Sequence, residues 1–280
     1  MKTVTSISDM LSLAESLRNE GKRIGFVPTM GFLHEGHLSL MRKAREDCDA
    51  VVASIFVNPA QFGPNEDLDR YPRDAEGDRK KCGSAGVDIL FVPTAAEMYP
   101  TKPTVFVTVE GTSDILEGAA RPGHFRGVAT VVAKLFNMVK PHRAYFGQKD
   151  FQQCVVIMRM VTGLNMDVEV VVLPTVREAD GLAMSSRNSY LNAEERRAAT
   201  VLFKALTTAR DLFKAGARDV EKLKHMMQAV LLDKGDVGVD YIEVADPDTL
   251  EPLSEAKDRM VFLIAARLGR TRLIDNLLVP

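Results

Sequence analysis

Two imidazoles three residues apart, His34 and His37, stand in the run Pro28-Thr29-Met30-Gly31-Phe32-Leu33-His34-Glu35-Gly36-His37. At that spacing both rings lie on one face of an opening helical turn, where they can donate hydrogen bonds to phosphate oxygens. The run follows the apolar segment Arg23 to Val27 and precedes the helix-like Leu38 to Ala44, so it reads as strand, tight turn, helix start. Unpaired backbone amides and the positive end of the helix dipole converge at such a junction, and phosphate is its natural occupant. Gly31 and Gly36 let the backbone come close. Zinc is the competing reading, but it takes about four ligands, and His-Glu-x-x-His spacing is absent.

Further along, Ala144 to Gln153 repeats this logic: an apolar strand, Gly147, then a helix start. Lys149 places a compact positive charge there, suited to phosphate. Asp150 is a candidate helix cap, and Gln153 lies one turn further in on the same side. Ser185, Ser186 and Arg187 offer two hydroxyls and a guanidinium to a transferring phosphate, although Ser-Ser-Arg-Asn alone is also a turn and helix cap. Asn58 and Gln61 supply neutral amides on a loop, Asn58 to Asn65, that leaves an apolar run. Such amides suit substrate hydroxyls because each donates and accepts; loop capping is the alternative. The Gly-punctuated stretch Glu117 to Gly127, with Arg121, His124 and Arg126, either faces an anionic substrate or carries a turn. His225 reads as a packing residue in a helix.

These residues need a scaffold with a common edge. Met10, Leu11, Ala14 and Leu17 predict a helix over Ser8 to Glu20, with Ser8 or Asp9 as its cap. Asp49 to Val57 is almost continuously apolar, the mark of a strand covered on both faces of a parallel sheet. Asp88 to Pro93 and Asp167 to Pro174 predict further strands, Thr104 to Val109 alternates like another, Glu66 to Gly86 reads as mostly helical, and Val128 to Val139 as a buried helix. Ligands collect at the C-terminal edge of such sheets. The fold class is therefore α/β: a Rossmann-like parallel sheet with helices on both faces, over residues 1–176. Residues 177–280 predict a smaller C-terminal α+β lid, with helices over Ala193 to Lys214 and Asp219 to Lys234 and strands at Tyr241 to Val244, Met260 to Ala266 and Thr271 to Leu278.

The 280 residues carry a formal net charge of −2, with 46% hydrophobic and 26% charged content, so there is no bulk electrostatic case for nucleic acid or an anionic membrane. No run approaches the roughly 18 apolar residues of a membrane helix, and a cytoplasmic location is expected. Cys48, Cys82 and Cys154 lack Cys-x-x-Cys spacing and read as buried thiols.

Taken in order, Thr29-Met30-Gly31 with His34-Glu35-Gly36-His37, Asn58-Pro59-Ala60-Gln61-Phe62, Arg121 to Gly127, Gly147 to Gln153 and Met184-Ser185-Ser186-Arg187-Asn188 resemble the motifs of the pantothenate synthetase family, from Gly25 to Asn276. The histidine turn is similar to the His-Ile-Gly-His signature of nucleotidylyl transferases and class I aminoacyl-tRNA synthetases, and Met184-Ser185-Ser186-Arg187 resembles their mobile loop, with serines where the synthetases carry lysines. The resemblance implies ATP-dependent joining of pantoate to β-alanine through a pantoyl adenylate, with Mg2+ and a homodimer. It also implies that His37 donates a proton and that His34, Lys149, Ser185, Ser186 and Arg187 stabilise phosphate charge. Met30, Gly31, Gly147, Asp150, Val176 and Met184 would line the nucleotide, Asn58, Gln61, Arg121 and Gln153 the small substrates, and Asp78 would meet magnesium. A transferase that moves AMP to another small acceptor is the alternative.

Overall fold

The computed structural model describes residues 1–64, 66–233 and 237–279, and the chain forms two compact units. One comprises Met1–Gly147 with Gln152–Pro174, the other Thr175–Pro280 with Gln148–Phe151.

The first unit is built on β1 (Lys2–Val4), β2 (Ile24–Thr29), β3 (Ala50–Ile55), β4 (Ile89–Phe91), β5 (Arg143–Gly147) and β6 (Glu169–Leu173). All pair in parallel, in the order β1-β4-β3-β2-β5-β6. Its helices are α1 (Ile7–Asn19), α2 (Glu35–Asp47), α3 (Ala75–Ser84), the short α4 (Ala95–Met98) and α5 (Glu117–Ala120), α6 (His124–Val139) and α7 (Phe151–Gly163). Successive strand residues face opposite cores. Phe26 and Val52 join Met10, Ala14 and Phe136, whereas Val27, Val51 and Ala53 join Leu40, Met41 and Ala44 of α2. Each large side chain so buried contributes about 1.5–3 kcal/mol, which explains why the inner strands have no polar alternation. Because β2 pairs with β3 on one side and β5 on the other, the strand order reverses there. The turn after β2 and the end of β5 at Gly147 thus meet the crevice where open α/β sheets bind ligands.

The second unit holds the helices α8 (Ala193–Ala198), α9 (Val201–Lys214) and α10 (Val220–Leu232) and an antiparallel sheet, β7 (Val237–Ala245), β8 (Met260–Leu268) and β9 (Thr271–Val279), in the order β7-β8-β9. Leu202, Leu206, Leu223 and Met227 from the helices pack with Phe262 and Ile264 of β8.

Several local expectations are corrected. Thr104 to Val109 is not a strand; it has no ladder partner among the described residues, and Val105 and Phe106 are 80% and 43% exposed. Of Glu66 to Gly86 only Ala75–Ser84 is α-helical, since Pro72 breaks the earlier part and Asp74 caps α3. Ser6, not Ser8 or Asp9, caps α1. The stretch Glu117 to Gly127 holds α5 and the first turn of α6, entered through Gly123 in the left-handed region. The span Ala193 to Lys214 is two helices, divided at Ala199 and Thr200. His225 is exposed rather than packed. Lys234 at the end of one expected helix, and Asn65 at the end of the amide loop, lie outside the described residues. The strand β1, only three residues long, is too short to show a period.

One junction of the first unit bears directly on the amide loop. The 3-10 turn Pro59–Gln61 lies on α6 at Gly127, where an added Cβ would fall 2.2 Å from the Ala60 oxygen and 2.7 Å from Gln61 Cα. Asn58 Nδ2 donates to Gly127 O at 3.2 Å across this contact. Beside it, His124 Nδ1 lies 2.9 Å from Gln61 O, so this nitrogen must donate, and Nε2, 3.1 Å from Arg121 Nη1, must accept. Burial and the Arg121 charge push His124 down to about 4.

Two outcomes follow. Gly127→Ala should lose about 1–3 kcal/mol of stability in urea denaturation, the usual result of overpacking; unchanged stability would show that the turn can retreat freely. For His124, the unfolded chain takes up a proton near its ordinary value of 6.5 while the folded chain resists until about 4. Stability should therefore fall as pH drops between those values, and His124→Asn, which keeps a donor toward Gln61, should lose that part of the slope. Equal slopes for the two proteins would remove His124 as the cause.

Candidate active site

The histidine turn begins where β2 ends. Thr29 Oγ1 donates to Ser54 O of β3 at 2.7 Å and accepts from Gly31 N at 3.2 Å, tying the start of the turn to the sheet. Gly31 and Phe32 then take left-handed φ values of 84° and 51°. A side chain on Gly31 would meet Asp78 Oδ2 at 3.0 Å and Ile55 Cγ2 at 2.9 Å, so glycine is required for both backbone and space. Asp78, in the first turn of α3, accepts from Phe32 N through Oδ2 and from Leu33 N through Oδ1, both at 2.7 Å. Three residues on, Lys81 Nζ donates to Leu33 O at 2.8 Å.

Asp78, the residue expected to meet magnesium, is here a support of the turn. The carboxylate is 1% exposed and both its oxygens are engaged by the turn's own amides. Among the described residues no group of three or more His, Cys, Asp and Glu is arranged to hold a metal ion.

His34 stands at the N-cap of α2 with extended backbone, and its ring centroid is 4.1 Å from that of His37. The His34 amide donates to His37 Nδ1 at 3.3 Å. Since Nδ1 accepts, the neutral His37 ring carries its proton on Nε2, as a donor to phosphate requires. Met30 lies beside this turn, its Sδ 3.2 Å from Gln61 Nε2.

The two loop amides differ in kind. Asn58 is 1% exposed; its Oδ1 accepts from Ala60 N and Tyr99 OH, and its Nδ2 donates to Gln61 Oε1 and Gly127 O. Both amide atoms of Asn58, expected to meet a substrate hydroxyl, are thus engaged with protein groups, and one of these bonds orients Gln61. Arg121 is also committed, forming a two-pronged ion pair with Glu66 at 2.7 and 2.6 Å. Although burial opposes it, that pair holds Glu66 below the ordinary carboxylate range. Gln153 is half-buried near the start of α7, whereas its neighbour Gln152 is buried and structural, bonding Thr112 O, Ile115 O and Glu117 N.

The second unit carries the remaining candidates. Gln148–Asp150 is a 3-10 turn in which Lys149 Nζ lies 3.3 Å from Asp150 Oδ1. Val176 to Met184 forms a small hairpin closed by Met184 N to Val176 O at 3.0 Å and Glu178 N to Leu182 O at 2.8 Å, with Gly181 left-handed at its tip. It places Val176 and Met184 side by side. Ser185 caps the following 3-10 turn, Ser186–Tyr190, its Oγ accepting from Arg187 N at 3.3 Å; Ser186 is buried.

What sequence reasoning missed is the support. Arg177 donates to Asp275 at 2.6 and 2.9 Å, to Gly181 O and to Asn276 O, and lies 3.9 Å over the Phe203 ring. Burial raises the Asp275 carboxyl, and the Arg177 bonds pull it back. The available signal was the pair Asp275-Asn276 inside the otherwise apolar Leu273 to Leu278.

Comparison with known proteins then gives a consistent result. A family model described as pantoate-beta-alanine ligase matches residues 2–278. The pantothenate synthetase of Acetivibrio thermocellus is 53% identical over 280 residues, covering 100% of this chain and 99% of the relative. That of Caldicellulosiruptor saccharolyticus is 54% identical over 279 residues, with 100% and 99% covered. The crystal structure of pantothenate synthetase from Thermus thermophilus superposes with a TM-score of 0.95 at 49% identity, covering 100% of this chain and 99% of that one. A pantoate-beta-alanine ligase from Francisella tularensis, solved with β-γ ATP and β-alanine, superposes with a TM-score of 0.81 at 34% identity, covering 99% and 97%. The chain belongs to the pantoate–β-alanine ligase family.

Proposed function

We propose that this chain joins pantoate to β-alanine in two steps. A pantoate carboxylate oxygen attacks the α-phosphorus of ATP, breaking the bond to the β-phosphate and releasing pyrophosphate. The β-alanine amine then attacks the acyl carbon of the pantoyl adenylate, AMP leaves with the C–O bonding pair, and the amine proton passes to solvent. The observation that carries this reading is the full-length match to the ligase family, 2–278, in a chain whose histidine turn sits at the strand-order reversal.

Charge builds on the α-phosphate and on the leaving pyrophosphate, and preorganised donors that meet it there lower the barrier. His34, the Nε2–H of His37, Lys149, Ser185, Ser186 and Arg187 are assigned that role, with His37 as proton donor. Met30, Gly31, Gly147, Asp150, Val176 and Met184 are assigned to the nucleotide. Gln61 and Gln153 are assigned to pantoate, with Asn58 and Arg121 acting through the Gln61 loop. Residues 1–176 would bind nucleotide and pantoate, and 177–280 would serve as a cover that protects the adenylate from water. Magnesium would enter on the phosphates of ATP, held by phosphate oxygens and water and sharing their charge. A cytoplasmic location is part of this reading; among the described residues no helix is long and apolar enough to cross a membrane.

A homodimer is also proposed. The stretch 104–109 leaves Val105 80% and Phe106 43% exposed, and a second copy would cover this apolar surface. Sedimentation should give the mass of two chains, and V105E/F106E that of one; a monomeric wild type would exclude the dimer.

The reaction itself is tested by exchange of labelled pyrophosphate into ATP with pantoate present and β-alanine withheld. Pantoate-dependent exchange is expected, reduced roughly a hundredfold or more in folded His37→Ala and Lys149→Ala, the order for removing one charge-stabilising donor. Gln61→Ala should weaken pantoate far more than ATP. No exchange from folded wild type that binds ATP would favour transfer of AMP to another acceptor.

A further inference from the structure

The candidate lysine is mounted on the last strand of the chain. Asn276 of β9 is 2% exposed, and its Nδ2 donates to the carbonyl oxygens of Gln148 and Lys149, both at 2.9 Å. Its Oδ1 accepts from Gln148 Nε2 at 3.2 Å. Its own amide donates to Asp275 Oδ1 at 2.7 Å, and its carbonyl accepts from Arg177 Nη2 at 3.2 Å. Asp275 in turn fixes Arg177, which also holds Gly181 O in the hairpin between Val176 and Met184. One buried network thus joins the lysine turn, the hairpin and the strand, and all three lie in the second unit.

Stability alone is a poor reason for such a network. A buried ion pair is often no more stabilising than apolar side chains of the same volume, and β9 is otherwise well supplied with them. Position is the better reason. The turn Gln148–Asp150 is only a single 3-10 turn, and its two carbonyls are gripped by one side chain whose hydrogen-bonding atoms are all satisfied.

We propose that Asn276 is a positioning residue for Lys149: it fixes the backbone from which the ammonium projects, with Asp275 and Arg177 holding Asn276 in register. This rests on the assignment of Lys149 to phosphate charge. Geometry of this kind is expensive to lose, since a displacement of about 1 Å can cost on the order of a hundredfold in rate.

The test is a double-mutant cycle in the full-length protein, read by pantoate-dependent pyrophosphate exchange, kcat and the KM for ATP, with an unfolding midpoint for each variant. Asn276→Ala should lower kcat roughly ten- to a hundredfold. In the Lys149→Ala background the same change should cost less than about twofold, because the group it positions is gone. Asn276→Asp, of equal size, keeps the acceptor for Gln148 but sets oxygen against the two carbonyls, and should show the same non-additivity. A residue needed only for folding would lower the midpoint alike in both backgrounds and leave exchange per folded molecule unchanged. Additive rate losses, wild-type turnover in Asn276→Ala, or failure of both Asn276 variants to fold would overturn the proposal. Near-wild-type exchange in Lys149→Ala alone would instead remove the assignment on which it rests.

Discussion

The carboxylate of Asp78, closed over the amides of Phe32 and Leu33, is the contact on which the histidine turn depends. Phe32 is left-handed, a conformation that costs a residue with a side chain on the order of 1–3 kcal/mol. Hydrogen bonds to a charged group return about 1.5–3 kcal/mol each, and Asp78 makes two of them. The balance favours the turn, with Lys81 adding a bond to Leu33 O from the same face of α3. The consequence reaches the chemistry directly: a chain that leaves β2 in this way brings His34 to the N-cap of α2, three residues before His37.

Backbone partners set the chemistry of two histidines in opposite ways. His37 accepts an amide proton at Nδ1, which places its own proton at Nε2. His124 lies against a carbonyl at Nδ1 and a guanidinium at Nε2, which places its proton at Nδ1. A charged His37 would have to give up the His34 amide, and a charged His124 would point N–H at Arg121. Each set of partners therefore selects one tautomer of the neutral ring. The two differ in purpose: the first is kept as a donor beside the turn, and the second serves as a strut under Gln61.

Much of this was legible in the sequence. The inner strands were readable because covered strands must be apolar on both faces, and the histidine turn because strand, glycine and helix start coincide with imidazoles. The misreadings have physical causes. Thr104 to Val109 alternates like a strand, but a ladder needs a neighbour and this chain supplies none among the described residues. Helix boundaries moved wherever a cap outranked periodicity, as at Gly123 before α6 and Asp74 before α3. The supporting residues were hidden for a different reason. Asp78 lies 45 residues from Leu33, and Asn276 lies 127 from Lys149, so neither pairing leaves a local pattern.

The amide side chains make the same point about function. Asn58, Gln61, Gln152, Gln153 and Asn276 are alike in chemistry, and sequence position drew attention to Asn58, Gln61 and Gln153. Saturation separates them. Asn58, Gln152 and Asn276 are at most 4% exposed and engage both amide atoms with protein groups. Among the described residues the Gln153 side chain makes no hydrogen bond, and Gln61 turns its nitrogen to a thioether, a weak acceptor. A buried amide whose capacity is filled stabilises by keeping its partners in place, and removing it leaves them unpaired. An amide with capacity in hand is the one able to exchange water for a substrate hydroxyl. In this chain the saturated amides sit one shell behind the unsaturated ones or behind a charged side chain: Asn58 behind Gln61, Asn276 behind Lys149. The groups assigned to substrate and phosphate thus owe their directions to residues whose own polar atoms are already taken.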